Sequence, residues 1–307
     1  MATTTNITTT YAGEFAGTYV SAALLSGKTL AENLITLKPN IKFKEVMKKV
    51  ATTDLVKDAT CDFDATSTLT LTERILQPEE FQVNLQLCKK DFRNDWEAVS
   101  MGFSAYDNLP PSFADFLIAH AADKVAQKME QNIWNGTNAN AGEFDGFKTT
   151  LLADADVVDV GAGAVTSTNV VAELGKIVDV IPSAIYGSED LFIYVSSNIY
   201  RAYVRALGGF ASNVGAAGTD NKGTQWFNGG ALTYDGINVV LASGLAANTA
   251  VAAQKSNLFF GTGLLNDQNE VKVIDMADID GSQNVRVVMR FTAGIQHAIG
   301  SDIVLYS

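Results

Sequence analysis

The chain has 307 residues and a formal net charge of −12, long enough for two domains or for one domain with large extensions. It carries no long Lys/Arg block, which excludes a protein that wraps nucleic acid, because such binders concentrate positive charge to displace counterions. The Thr-rich start lacks the apolar core of a signal peptide, no stretch approaches a membrane span, and two cysteines, Cys61 and Cys88, make no disulfide framework; a cytoplasmic, reduced chain is expected.

The first forty residues are expected to form an arm. A Thr-rich start leads into GEFAGTYVSAALLSG, a short helical patch ending at Gly27, and then into KTLAENLITLKP. Too few apolar residues stand here to close a core, so the segment should lean on the rest of the protein or on a neighbour. Ser26 to Thr29 spells SGKT, the tail of a phosphate-binding loop, but the pattern needs a glycine where Ala22 stands and a strand where the sequence is helical. Gly27 is then a helix-ending glycine.

Strands follow. Ile41 to Val50 is basic and partly alternating, and residues 51–67 are polar. STLTLTERIL sets Leu69 and Leu71 against Thr68, Thr70 and Thr72, and FQVNLQLCKK sets Phe81, Val83, Leu85 and Leu87 against Gln82, Asn84 and Gln86. This period of two predicts a long two-stranded excursion over 41–88, with its tip in 51–67. A lone hairpin is marginal in water, so it should find a surface to lie on.

Next comes one unusually long helix, predicted over 112–134. Ser112 stands at the N-cap position, with Asp115 in the first turn. Leu117, Ile118, Ala121, Ala122, Val125, Met129 and Ile133 fall on one half of the wheel, and Asp123, Lys124, Gln127, Lys128, Glu130 and Gln131 on the other. Asn135-Gly136 supplies a left-handed stop. Some two dozen residues make a rod of roughly 35 Å. With one dry and one wet face it would be a backing strut, and a carboxylate at Val125 should cost far more than one at Gln127.

Residues 151–254 have an α/β pattern. TNVVAELGKIVDVIPSAIYG is a helix with Thr168 or Asn169 near its cap, LFIYV a buried strand, and SSNIYRAYVRALGG a helix ended by Gly208-Gly209. A glycine-rich loop over 209–226 precedes two strand pieces around the Asp235-Gly236 turn. The chain closes with strand-like NLFFGTG, VKVIDM, NVRVVMRFTAGIQHAIG and DIVLYS.

No catalytic, cofactor-binding or metal-binding residue is assigned. His120 and His297 have no Cys, His or acidic partner at metal spacing, so both are expected to be structural. DADVVD (Asp154 to Asp159) and DMADIDG (Asp275 to Gly281) lack the spacing of a calcium loop and are expected to be solvated turns. Neither a G-x-S-x-G elbow nor a dinucleotide fingerprint is present.

The order of these parts resembles the major capsid protein of tailed bacteriophages, the Hong Kong 97 fold family. An arm and a long hairpin precede a spine helix ending in NIWNGT and GEFDGF; LFIYVSSNIYRAYVRAL and YDGINVVLASGL follow, and VRVVMRFTAGIQHAIGSDIVLYS closes the chain. The family's G-x-P-V-V-x-S strand is matched loosely by Gly236 to Ser243, with Asn238 in the proline's place. The resemblance implies an α+β fold of Hong Kong 97 capsid type. Its parts would be an N-terminal arm (1–40), an extended loop hairpin (41–88), a peripheral domain (89–150 and 255–293) carrying the spine helix, and an α/β axial domain (151–254 and 294–307). It implies a structural, non-enzymatic subunit that assembles with itself into the hexamers and pentamers of an icosahedral shell around phage double-stranded DNA. The hairpin would lie over a neighbouring subunit.

Only some forty residues precede the hairpin, where many relatives carry a longer scaffold segment, so the resemblance implies a separate scaffolding protein or an already processed chain. It further implies a portal, decoration proteins, packaged DNA held without sequence-specific binding, no membrane, and a place in the virion after assembly in the host cytoplasm. Lys57 is the lysine nearest the hairpin tip, but no crosslink residue is carried over. Two other readings stand beside this one. An encapsulin-like compartment would share the fold and load enzyme cargo. A soluble α/β enzyme with an inserted hairpin would need convergent polar side chains at strand ends, and none stands at recognisable spacing.

Overall fold

The computed structural model describes residues 28–52, 56, 58–59, 61, 69–92, 111–207, 232–263 and 272–307. The arm expected before Lys28, most of the hairpin tip expected in 51–67 and the glycine-rich loop over 209–226 lie outside the described residues. The chain divides into two units, residues 1–26, 80–129 and 264–292 in one and 27–79, 130–263 and 293–307 in the other. Helix α3 (Pro111–Asn135) and strand β12 (Asn284–His297) each contribute residues to both.

In the first unit, β12 is the central strand. Its residues 285, 287, 289 and 291 are buried and alternate with exposed or half-buried ones, the period of a half-buried strand. Strand β11 (Lys272–Asp275) pairs antiparallel with it, Val273 opposite Val287. Strand β4 (Glu79–Cys88) is also its partner, with the Phe81 and Phe291 rings 5.7 Å apart. The buried Lys89, in the one-turn helix α2 (Lys89–Phe92), donates to the carboxylate of Asp275. The expectation that β4 belongs to the long hairpin is therefore corrected: its alternation is real, but its partner is β12.

The second unit is built on a mixed sheet. Its strands are β5 (Val158–Val160), β6 (Leu191–Val195), β7 (Leu232–Tyr234), β8 (Ile237–Leu241), β9 (Ala250–Gln254) and β13 (Val304–Tyr306), in the spatial order β5-β13-β9-β6-β8-β7. β6 reads as an unbroken apolar run because both its faces are covered. Ile193 and Val195 pack against helices α5 (Val170–Asp179) and α6 (Ser197–Leu207) through Leu174, Ile177, Ile199 and Tyr203. On the opposite face, Tyr194 meets Trp134 of α3 at 5.1 Å between ring centroids, and Trp134 meets Phe147 of α4 (Phe147–Leu152) at 5.4 Å. At the tight turn joining β7 to β8, Asp235 and Gly236 both have positive φ, 47° and 82°, the conformation an Asp-Gly pair tolerates.

Strands β1 (Thr36–Lys38) and β10 (Leu258–Gly261) pair in parallel, and β10 pairs antiparallel with the end of β12, Leu258 opposite His297. Among the described residues, strands β2 (Glu45–Ala51) and β3 (Thr70–Leu76) pair only with each other, in register from Glu45–Leu76 to Ala51–Thr70.

The long helix opens at Pro111, one residue before the expected start. Proline suits a first helical position because that N–H has no helical acceptor. Asn135 and Gly136 do not adopt the left-handed conformation expected of them. Gly136 is required for space instead, since a Cβ there would lie 2.2 Å from the Phe144 carbonyl oxygen. Ala121, Met129 and Ile133 are buried and Asp123, Lys124 and Gln131 exposed, but Val125 and Gln127 are both half-buried. Glu130, placed on the wet half by its charge, is 1% exposed.

Candidate functional site

The β2–β3 ribbon has two unlike faces. Period-two geometry puts Glu45, Met47 and Lys49 with Thr72, Arg74 and Leu76 on one face, and Val46, Lys48 and Val50 with Leu71, Glu73 and Ile75 on the other. The first face is seated. Met47 and Leu76 join Ile41 and Phe259 in a small buried cluster. Gly261 admits them closely, for a Cβ there would come 2.8 Å from Ile41 Cδ1 and 3.0 Å from Leu76 Cδ2.

The second face is bare. Register pairs Val46 with Ile75, Lys48 with Glu73, and Val50 with Leu71. Two apolar rungs thus flank one rung of opposite charge. Val46 and Ile75 are 46% and 47% exposed, and Val50 and Leu71 both 58%. Covering such half-exposed aliphatic chains is worth about 1 kcal/mol apiece. Phe43, Val56 and Leu69 are also exposed, and Lys44 Nζ lies 5.2 Å from the Phe43 ring centroid. Exposed apolar side chains gathered on one face of a ribbon make a candidate interaction site.

Polar contacts fix the ribbon at its root. Lys38 of β1 pairs with Glu45 and lies over the Phe259 ring at 4.8 Å. Gln296 donates to the Ile75 carbonyl at 3.1 Å. Arg74 pairs with Asp154 Oδ2, and His297 Nε2 lies 2.8 Å from that same oxygen. Asp156 N–H donates to the other oxygen, Oδ1, at 3.1 Å. Burial opposes the Asp154 charge, but the donors from His297, Asp156 and Arg74 outweigh it and hold the carboxyl below its usual range. His297 is 1% exposed, and burial pushes its imidazole below the ordinary value against the pull of Asp154. The sequence places Asp154 in a solvated turn and makes His297 a structural histidine, with no partner at metal spacing. The fold pairs them across 143 positions, which no spacing rule reaches.

A second buried polar group anchors the chain just before β1. Glu130 Oε2 accepts the Thr29 N–H at 3.1 Å and Oε1 accepts the Thr29 hydroxyl at 2.6 Å, while Trp134 donates its indole N–H to that hydroxyl at 2.9 Å. The Gly244 N–H also serves the carboxylate. Burial raises the Glu130 pKa and these donors restrain it. The threonine of the SGKT stretch is thus committed inside the protein.

Among the described residues no group of His, Cys, Asp and Glu is arranged to hold a metal ion. Asp275 of the DMADIDG stretch pairs with Lys89, and Asp280 caps Ser282 N–H at 2.9 Å. Cys61 is exposed and Cys88 half-buried, both as free thiols. No helix among the described residues is long and apolar enough to cross a membrane. A depression is lined by Tyr186, Ser188, Glu189, Asp235 and Asn238, with no histidine in its lining, and the Ser188 hydroxyl is committed to Asp190 at 2.6 Å.

No protein-family model matches the sequence, and no curated protein matches it. Solved structures do match. A chain from Gordonia phage Cozz is 12% identical, with 99% of this chain and 91% of that one covered and a TM-score of 0.61. The capsid of a native GTA particle gives 11% identity, coverage of 94% and 92%, and a TM-score of 0.59. The capsid of cyanophage P-SCSP1u gives 14% identity, coverage of 96% and 91%, and a TM-score of 0.56. The chain shares the α+β fold of these structures, consistent with the Hong Kong 97 type that the element order resembles.

Proposed function

We propose that this chain is the shell-forming subunit of a tailed-phage capsid, a structural protein without enzymatic activity that assembles with itself into hexamers and pentamers around a double-stranded DNA genome. The observation that carries this reading is the bare apolar face of the β2–β3 ribbon, which the single chain leaves uncovered, on a fold shared over almost the whole chain with capsid subunits. The ribbon is the extended loop and its bare face lies on a neighbouring copy. Residues up to 40 form the arm, 89–150 and 255–293 the peripheral domain with the spine helix, and 151–254 and 294–307 the axial domain. The division of the chain into two units agrees with that partition over 89–129 and 264–292 in one and 151–254 and 294–307 in the other, and differs from it over 130–150 and 255–263.

The charge of −12 suits a container that encloses DNA without adhering to it. A separate scaffolding protein, a portal and decoration proteins complete the proposed partners, with assembly in the host cytoplasm and a final place in the virion. The test is expression of the chain with and without its scaffold, followed by light scattering and electron microscopy. Closed shells or capsomers are expected, and a strictly monomeric species at high concentration with scaffold present would sink the reading. Protein cargo in place of nucleic acid inside the particles would transfer the chain to the encapsulin-like class.

A further inference from the structure

We propose that Arg74, Asp154 and His297 form a proton-sensitive seat for the β2–β3 ribbon: when His297 takes a proton the hold of Asp154 on Arg74 weakens, and the ribbon loosens while the sheet beneath stays folded. The inference concerns the single folded chain and does not rest on the shell reading.

The geometry is a competition for one oxygen. Arg74 and His297 both meet Asp154 Oδ2, while Oδ1 is committed to the Asp156 N–H. With His297 neutral, its Nε2–H donates to the carboxylate and Nδ1 is a bare acceptor. That Nδ1 is buried and has no hydrogen-bond partner. A proton added there creates an N–H donor with no acceptor, in a side chain 1% exposed, and such a group is costly until it reaches water. It also sets a second full positive charge beside Arg74, with one carboxylate oxygen between them.

The charges acting on His297 are those of Arg74 from β3 and Asp154 from the loop after α4. Asp156 touches the seat through its backbone N–H, and Asp302, in the turn beyond β12, faces the Ser301 hydroxyl. Strand β10 brings Leu258 opposite His297, and β12 brings the uncharged Gln296 beside it. Arg74 lowers the proton affinity of His297. Binding linkage is reciprocal, so protonation of His297 lowers the affinity of the seat for Arg74 by the same factor.

A histidine whose folded pKa lies below its ordinary value stabilises the seated form while neutral. That advantage is lost as pH falls from the ordinary value of about 6.5 toward the folded value. Asp154, depressed in the fold, keeps its charge throughout that window and acts only in stronger acid. Among the described residues, what else holds the ribbon is modest: the four-residue cluster of Ile41, Met47, Leu76 and Phe259, the Lys38–Glu45 pair and the Gln296 bond to Ile75. A small change at Arg74 is thus a sizeable share of its attachment.

The test is hydrogen exchange on the full chain, read by mass spectrometry at about pH 7.5 and about pH 5.5, either side of the ordinary histidine value, and corrected for intrinsic rates. Peptides from residues 45–51 and 70–76 should lose protection by about threefold or more at the lower pH, which corresponds to a coupling of about half a pH unit. Peptides from β6 and β9 should not change. His297→Gln keeps a donor for Asp154 but does not titrate, and it should abolish the response. Arg74→Gln gives a reading that does not depend on how well His297→Gln folds. Arg74 is partly exposed, and its removal should raise the NMR titration midpoint of His297 by about half a unit. The signal is readily separated because the chain has 2 histidines. Unchanged ribbon exchange between the two pH values, an undiminished response in His297→Gln, or a His297 midpoint that Arg74→Gln leaves in place or lowers would each overturn the proposal.

Discussion

Trp134 donates its indole N–H to the hydroxyl oxygen of Thr29 at 2.9 Å, and this decides where the Thr29 proton goes. With its oxygen already accepting, the hydroxyl donates to Glu130 Oε1 at 2.6 Å. The three residues form a directed chain of donors that ends on a buried carboxylate, and the backbone N–H groups of Thr29 and Gly244 complete its coordination. Among the described residues no cation pairs with it, so these dipoles alone replace the lost hydration.

Thr29→Val should therefore cost more than its shape suggests. Valine keeps the volume but removes the hydroxyl, so the Trp134 N–H loses the oxygen it meets at 2.9 Å and Glu130 Oε1 loses its donor at 2.6 Å. A loss of about 2–4 kcal/mol is expected from urea unfolding at neutral pH, against about 1 kcal/mol or less for Thr29→Ser. The deficit should also depend on pH. Burial already holds the Glu130 pKa above the ordinary carboxylate value, and losing a donor raises it further. A raised acid favours the folded state as pH falls, so the deficit relative to wild type should shrink between neutral and mildly acid pH. A deficit that grows on acidification would contradict the assignment.

Helix α3 offers a cleaner test of its dry and wet sides than the Val125/Gln127 contrast drawn from the sequence. Ile133 is fully buried and Gln131 is exposed, two residues apart in one helical turn. Ile133→Asp should cost several kcal/mol and leave little soluble chain, because a carboxylate there has no partner. Gln131→Asp should stay within about 0.5 kcal/mol of wild type. Similar melting temperatures for the two variants would mean that this end of the helix does not pack.

The elements that were legible in the sequence are those whose signal is local. The period of two in STLTLTERIL, the apolar run LFIYV, the Asp235-Gly236 turn and the interval free of glycine and proline before Asn135 each declare a conformation within a few residues. The capsid fold was legible through the order of such elements. Partners were not. FQVNLQLCKK alternates as cleanly as any strand, but alternation specifies a face and not a neighbour, and β4 pairs with β12. The helical wheel sets Glu130 among the polar residues of α3. It is buried because Thr29, 101 residues away, supplies two of its donors. Asp154 and His297 were judged separately for the same reason, and only the fold brings them together.

The bare face of the ribbon can be altered without touching the fold. Val50 and Leu71 form one cross-strand rung and are both 58% exposed. The double variant Val50→Ser/Leu71→Ser should leave the melting temperature of the isolated subunit essentially unchanged, within the roughly 0.5 kcal/mol typical of surface changes. If a second copy covers this rung, sedimentation and electron microscopy should show that assembly fails or slows sharply. Met47→Ser, on the seated face of the same strand, should instead destabilise the subunit itself. Shells forming at the wild-type rate from the double variant would remove this rung from the contact.

Three glycines separate space from handedness. Gly244 packs directly on the last turn of α3: an added Cβ would lie 2.0 Å from the Glu130 carbonyl oxygen, 2.7 Å from its carbon and 2.9 Å from Trp134 Cδ1. Two of those atoms are backbone and cannot swing aside, and Asn135 Nδ2 holds the Gly244 carbonyl in place. Gly244→Ala must therefore push the loop off the helix, with a cost of about 3 kcal/mol and some loss of the Glu130 coordination. Gly236 has open space around it but a φ of +82°, so Gly236→Ala should cost only the left-handed penalty of about 1 kcal/mol. Gly161 has neither constraint, with nothing within 4 Å of an added Cβ. Gly161→Ala should be neutral or stabilising by a few tenths of a kcal/mol, through the less flexible unfolded chain. Urea midpoints for the three variants should fall in that order. A Gly244→Ala variant as stable as Gly236→Ala would show that the loop carrying Gly244 does not press on α3, and the Glu130 network would then need another explanation.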